Sequence, residues 1–272
     1  MPGLLWSVAL IRAGVQPVSS PLFLFCIKII RVNNHQPAST KKIDETLTYL
    51  FDGQSHPLTA QMGAWLADSR RFTAFVNAFC DKIRKKLRVM QESERLNDLR
   101  LELETAYLLL QEPRLSVVYE PQLGGARCPD FEVSFTTSLT FMVEVTRLRI
   151  QTNSSSMVDR LADTMCDKLG QLLPQLANVL LIGIDAPPPT RIDLHAALMR
   201  VQQRAERNDA TFLRQYGFRD RADFFRQFQR MSEILVRGSQ LQADEPVVVL
   251  NLQAKNPLPA KARTVLYRSH TV

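Results

Sequence analysis

Two short apolar runs that alternate with period two constrain the fold of this chain most strongly. The runs are residues 131–135 (FEVSF) and 139–146 (LTFMVEVT), and the polar residues 136–138 (TTS) lie between them. Strict alternation is typical of a β-strand with one buried face, and turn-forming residues between two such strands are typical of a hairpin. The segment therefore predicts two antiparallel strands joined by a short turn.

Acidic residues lie at both ends of this predicted hairpin. Asp130 directly precedes the first run, and Glu144 lies near the end of the second. Because alternate residues of a strand share a face, Glu144 and Thr146 point to one side, opposite Val143 and Val145. Carboxylates that approach each other from partner strands can converge on a hard cation, and oxygen ligands suit Mg²⁺ or Mn²⁺. The hairpin thus predicts a divalent-metal site.

The rest of the chain shows helical and strand patterns in turn. The pattern predicts helices at 43–51, 58–69, 71–91, 93–112, 157–173, 191–206 and 220–237, and strands at 117–119, 178–185 and 247–252. Ser93 is the expected N-cap of its helix. The last two strands are continuous apolar runs, which is typical of strands buried on both faces. This order predicts an α/β (α+β) fold in which helices flank a mixed sheet.

The same patterns divide the chain into regions. Apolar runs in residues 1–40 are too short for a membrane helix and are interrupted by Arg12 and two prolines. We expect a poorly ordered extension there, with a membrane-associated segment as the alternative. The remaining regions are a helical N-terminal part (41–92), the core (93–260, with a helical insertion at about 190–240) and a C-terminal tail (261–272).

Composition limits the classes of partner and site. The four cysteines are far apart and form no Cys-x-x-Cys pair, which argues against structural zinc and a disulfide framework. They indicate a reduced protein, expected in the cytoplasm. A net charge of +7 favours an anionic partner, of which nucleic acid is the commonest. No glycine-rich loop has the spacing of a nucleotide site, so we expect no organic cofactor.

A basic cluster ends the predicted helix 71–91. Its members are Lys82, Arg84, Lys85, Lys86 and Arg88. Two interpretations stay open. The cluster is either a solvated face stabilised by the dipole at the end of the helix, or a strip that contacts nucleic-acid phosphates.

Together these motifs resemble the PD-(D/E)xK nuclease superfamily, the restriction-endonuclease-like fold with an αβββαβ core. Its pattern is Pro-Asp, a hairpin, then Asp/Glu-x-Lys, and this chain has Pro129-Asp130 and Glu144-Val145-Thr146. Thr146 stands where the family has lysine. The likeness covers about residues 70–260. Over this range the chain is similar to a bacterial subgroup of the fold that has threonine at this position. The strings that carry it are KIRKKL (82–87), LELETAYLL (101–109), YEPQ (119–122), CPDFEVSF (128–135), VEVTRLR (143–149) and NLQAKNPLP (251–259).

The resemblance implies a set of site residues. Asp130 and Glu144 would be the main ligands of Mg²⁺ or Mn²⁺, and Glu102, which matches the family's helix glutamate better than Glu104, would be a third. The hydroxyl of Thr146 could hold a water. The displaced lysine would be Lys168, for which the alternative is an ordinary surface lysine with its stem on the apolar stripe.

The resemblance also implies a substrate, and it leaves two functions open. Arg147 and Arg149 would clamp a phosphate of DNA. The first function is metal-dependent hydrolysis of DNA phosphodiester bonds by an endonuclease. The second is a catalytically inactive nuclease fold that serves as a nucleic-acid-binding or protein-interaction module. Many enzymes of this fold are dimers, so a homodimer is a further expectation; a membrane partner is not expected.

Overall fold

The computed structural model describes these parts of the chain: residues 40–90, 92–122, 128–149, 156–185, 188–238 and 245–271. Residues 1–39 of the predicted extension 1–40 lie outside the described parts. Within the described residues the protein is α+β, with one six-stranded mixed sheet and ten helices. No helix there is both long enough and apolar enough to cross a membrane.

The sheet follows the order of the sequence. Its strands are β1 (Leu115–Tyr119), β2 (Phe131–Phe135), β3 (Leu139–Leu148), β4 (Ala177–Ile184), β5 (Met231–Gly238) and β6 (Val247–Leu250). The first three strands are antiparallel, β4 is parallel to β3, and β5 is parallel to β4. The edge strand β6 is antiparallel to β5.

The helices form two layers around this sheet. Those before β1 are α1 (Thr40–Phe51), α2 (Thr59–Asp68), α3 (Arg70–Ala78), α4 (Cys80–Val89) and α5 (Ser93–Gln111). Those after β3 are α6 (Met157–Leu169), α7 (Arg191–Glu206), α8 (Ala210–Gln215), α9 (Arg221–Phe228) and α10 (Ala260–Ser269). Buried side chains of α1 to α5 and α10 form one core with the sheet, and those of α6 to α9 form the other.

The predicted hairpin is confirmed. Phe131 pairs with Val143 and Phe135 pairs with Leu139, so β2 and β3 are joined by the three residues 136–138. Thr136 has a left-handed backbone, with φ of 56°, which closes the tight turn. The alternation in β3 then decides the direction of the site residues. Val143 and Val145, which flank Glu144 in the strand, pack in the core that contains α5. Glu144 therefore points to the opposite face of the sheet, toward α6.

The predicted helix 220–237 is wrong over its second half. Helix α9 ends at Phe228, and residues 231–238 form β5, every residue of which is buried except the last. Ile234 packs in one core and Leu235 in the other. A run that is apolar on both faces cannot be assigned to a strand or a helix by periodicity. The predicted helical insertion at about 190–240 therefore ends in a strand of the sheet.

Other boundaries also need correction. The predicted helix 71–91 is two helices that meet at Phe79, and Glu92 rather than Ser93 is at the N-cap of α5. The predicted helix 157–173 ends earlier, at Leu169. For the two helix ends the apolar periodicity continues past the residue at which the helix stops, so periodicity alone gives the wrong end.

The C-terminal region differs most from its prediction. The predicted strand 247–252 ends at Leu250 and is only partly buried, because it lies at the edge of the sheet. Residues 251–259, one of the strings that carry the resemblance, contain no strand or helix. Most of the predicted tail 261–272 belongs to α10, in which Ala262, Val265 and Leu266 are buried.

Candidate functional site

A cleft of about 590 Å³ lies beside the carboxyl-terminal half of β3, between α5 and α6. We call it the acidic cleft, and its polar lining includes Glu102, Asp130, Glu144, Thr146, Arg160 and Lys168. Five of these six residues are the predicted catalytic and metal-binding residues. The structure thus brings together side chains from α5, from the residue before β2, from β3 and from α6.

Asp130 lies at the turn into β2 and reaches across to the next strand. Its Oδ2 accepts a hydrogen bond of 2.8 Å from the backbone N–H of Val145. Desolvation raises the pKa of Asp130 well above its ordinary value, and the nearby carboxylates of Glu144 and Glu102 raise it further. Asp130 is therefore in a position where a cation would be strongly stabilising.

Glu144 is almost fully buried, with 1% of its surface exposed. Its Oε1 accepts a hydrogen bond of 2.6 Å from Nζ of Lys168, whereas its Oε2 is buried and has no hydrogen-bond partner in the described residues. Desolvation raises the pKa of Glu144 in spite of the neighbouring ammonium. A buried carboxylate oxygen without a donor is costly, and a metal ion would give it a partner.

Lys168 reaches the cleft from the last turn of α6. Burial lowers its pKa, but the carboxylate of Glu144 outweighs burial and leaves the pKa of Lys168 raised. The side chain is 23% exposed and is held by Glu144, so it is not a freely solvated surface lysine. Its ammonium stays charged next to the acidic pair.

Glu102 of α5 is held by two donors. Its Oε2 accepts hydrogen bonds from Nζ of Lys86 at 2.8 Å and from the hydroxyl of Tyr119 at 2.5 Å. Lys86 also contacts Glu120 at 2.7 Å. Lys86, which was predicted to contact DNA, is therefore paired with Glu102 and Glu120 and does not itself line the cleft. Glu104, two residues further along α5, does not line the cleft.

Arg147 and Arg149, which were also predicted to contact DNA, differ in how exposed their guanidinium groups are. The guanidinium of Arg147 is 3% exposed and donates to Glu94, Asp98 and Asp185. Arg149 is half exposed and pairs with Asp98 at 2.7 Å. Both line the cleft, but Arg147 already has carboxylate partners on three sides.

The basic cluster of α4 is spread over several contacts. Lys82 donates to the backbone carbonyl of Glu120 at 2.9 Å, and Arg84 pairs with Asp52. Asp52 also pairs with Arg88 at 2.8 Å, and Lys85 is exposed. Four of the five cations of the cluster are therefore in contact with groups of the protein itself.

The donor set of the cleft fits a hard divalent cation. Oxygen atoms of Asp130 and Glu144 approach from neighbouring strands, and one of them lacks a partner. Such ligands suit Mg²⁺ or Mn²⁺. In the described part of the chain, no group of three or more His, Cys, Asp or Glu side chains is arranged to hold a metal ion. Glu102 is the predicted third ligand, and two donors already hold its Oε2.

Sequence reasoning missed part of the cleft. Arg160, Asp163, Thr164 and Asp167 of α6 also line it. The signal was available, because residues 160, 164 and 168 recur with a spacing of four and so share one side of a helix. Comparison with known proteins adds no further signal, since no family model, curated protein or solved structure matches the chain.

Proposed function

We propose that the protein hydrolyses DNA phosphodiester bonds with Mg²⁺ or Mn²⁺, in the manner of PD-(D/E)xK endonucleases. One observation carries the proposal. The ammonium of Lys168 lies 2.6 Å from Glu144, a strand residue that faces the same cleft as Asp130. A lysine from the next helix thus reaches the acidic pair from which the motif lysine is missing.

The order of elements supports the same proposal. Helix α5, strands β1 to β3, helix α6 and strand β4 follow one another, and β4 runs parallel to β3. This is the αβββαβ order that the sequence resemblance implied. Asp130 directly precedes β2 and Glu144 lies within β3, which supports the proposal.

Each residue of the acidic cleft has its own role in the proposed reaction. Asp130 and Glu144 would hold the cation, with Glu102 as a third ligand. When bound, the metal would polarise a phosphate oxygen and lower the pKa of a bound water. The charged Lys168 stabilises negative charge that develops on the phosphate, and the hydroxyl of Thr146 positions a water.

A second candidate function is a binding module without catalysis. It is favoured by one feature, namely that lysines already occupy an oxygen of both Glu102 and Glu144. A site whose carboxylates are neutralised internally has less need of a cation. In that case the cleft would be retained for its shape and charge alone.

Cleavage assays separate the two functions. Supercoiled and linear DNA are incubated with Mg²⁺ or Mn²⁺ and with the wild type, Asp130→Asn or Asp44→Asn. The control makes the same chemical change at an exposed residue of α1. Cutting by the wild type and the control but not by Asp130→Asn is expected. No cutting by any protein, with DNA still retained on a filter at low salt, would favour the binding module.

A further inference from the structure

Arg160 differs from the other basic side chains of the acidic cleft. Carboxylates hold Arg147, Arg149 and Lys168. The Nε and Nη1 atoms of Arg160 are buried, and neither has a hydrogen-bond partner among the described residues. Arg160 is thus a half-buried cation that lines the cleft and has no carboxylate partner among the described residues.

Two acids close to Arg160 in sequence have partners on other elements, although Asp163 also lines the cleft. Asp159 pairs with Arg200 at 2.8 Å, and Asp163 accepts a hydrogen bond from the hydroxyl of Tyr216. These contacts tie α6 to α7 and to the residue after α8, and neither involves Arg160, which lines the cleft. The fold therefore keeps Arg160 from the internal ion pairs that hold the other cations of the cleft.

Because no carboxylate of the described residues neutralises Arg160, its charge is available to an anionic ligand in the cleft. The planar guanidinium presents paired N–H groups in a geometry that matches phosphate oxygens. Thr164 lies one helical turn further along α6 and also lines the cleft, so its hydroxyl can donate to the same anion. The chemistry of this part of the cleft suits a phosphate group.

The position of Arg160 separates this phosphate from the reacting one. Arg160 and Lys168 are eight residues apart on α6, which is about 12 Å along a helix axis. Both lie on the same side of the helix and both line the cleft. This separation suits two phosphates of an extended strand, one at each cation.

We propose that Arg160, with Thr164, binds a backbone phosphate of the nucleic-acid strand on one side of the scissile bond. This proposal rests on the proposed nuclease function and adds the direction in which the strand crosses the cleft. The strand would lie along α6, from the acidic pair at Lys168 toward the amino-terminal end of the helix.

Binding and cleavage are measured together to test the proposal. Fluorescein-labelled duplex DNA is titrated with protein at several salt concentrations, in buffer that contains Ca²⁺ in place of Mg²⁺. The proteins are the wild type, Arg160→Gln, Arg160→Lys and Arg207→Gln. The last is a matched control, because Arg207 is exposed at the end of α7. Cleavage by each protein with Mn²⁺ gives kcat and KM.

We expect Arg160→Gln to bind DNA roughly tenfold more weakly and to lower the salt slope by about one, as for the loss of one phosphate contact. Its cleavage defect would appear in KM, Arg160→Lys would recover part of the affinity, and Arg207→Gln would match the wild type. Wild-type affinity and salt slope in Arg160→Gln, with cleavage unchanged, would overturn this inference alone. Neither binding nor cleavage by the wild type would overturn the nuclease proposal as well.

Discussion

Among the buried pairs of a carboxylate and a cation in the described residues, two lie on opposite faces of the sheet. Glu144 and Lys168 are 2.6 Å apart on the α6 face, and Glu104 and Arg237 are 2.8 Å apart on the α5 face. The first pair opens into the acidic cleft. The second is almost fully buried, with Glu104 at 0% and Arg237 at 5% exposure.

The difference between the pairs shows that burial of charge does not by itself define a site. Each pair has a carboxylate oxygen without a partner among the described residues, and each carboxylate has its pKa raised by desolvation. Only access to a cleft lets such an atom meet a ligand. The Glu144–Lys168 pair is therefore the one that fits the proposed chemistry, and the Glu104–Arg237 pair is expected to contribute to the stability of the fold.

The largest effect on stability is expected from a substitution in the Glu104–Arg237 pair. Glu104→Leu would leave the guanidinium of Arg237 buried without its carboxylate, which costs roughly 3–5 kcal/mol of unfolding free energy. Urea unfolding measures this loss. The double variant Glu104→Leu/Arg237→Met removes both charges and is expected to recover most of it. Unchanged stability in Glu104→Leu would remove the distinction between the two pairs.

Metal binding should stabilise the protein through the cleft. At a Mn²⁺ concentration 100 times its dissociation constant, the unfolding free energy of the wild type should rise by about 2.7 kcal/mol. Asp130→Asn should show little of this rise, while Asp44→Asn should show all of it. Thermal unfolding with and without Mn²⁺ provides the measurement. Equal stabilisation of all three proteins would place the metal outside the cleft.

A titratable group near the second pair gives a smaller, pH-dependent effect. Burial, assisted by the charge of Arg237, lowers the pKa of His270 from its ordinary value of 6.5 to about 3. Between these two values the unfolded chain binds a proton that the folded protein does not. Stability should therefore fall as pH falls below about 6, by about 1.4 kcal/mol per pH unit.

The variant His270→Gln isolates this contribution. Unfolding free energies of the wild type and the variant are measured by urea titration from pH 7 to pH 4.5. The wild type should have the steeper loss, because glutamine does not titrate in this range. Parallel curves for the two proteins would show that His270 is not held neutral by burial.

The smallest effect is expected at the rim of the cleft. Arg149 is half exposed and pairs with Asp98, so Arg149→Gln should change the unfolding free energy by less than about 1 kcal/mol. Arg147→Gln should cost more, because three carboxylates surround its buried guanidinium. If Arg149 contacts DNA, its variant should still weaken binding. Comparison of stability and DNA affinity in both variants tests this division of roles.

Local patterns in the sequence were enough to predict the hairpin and its acids. The alternation in residues 131–135 and 139–146 fixes which side chains share a face without knowledge of the rest of the fold. Two residues on a helix that are two positions apart do not share a face. For that reason Glu102 could be separated from Glu104 before their surroundings were known.

Features that depend on tertiary contacts could not be predicted in the same way. The strand β5 is apolar on both faces, so its residues also fit a helix. The partners of the acids next to Arg160 are Arg200 and Tyr216, which are far along the chain. The hydrogen bonds of Glu102 with Lys86 and Tyr119 likewise arise from the packing of α4 and β1 against α5.

The most direct test of the account moves the lysine back to its motif position. Plasmid cleavage with Mn²⁺ is compared for the wild type, Lys168→Met and Lys168→Met/Thr146→Lys. Thr146 lines the same cleft on the strand that carries Glu144. We expect Lys168→Met to cut more slowly by roughly 10²-fold or more and the double variant to recover part of the rate. Wild-type cleavage by Lys168→Met would contradict the role assigned to Lys168.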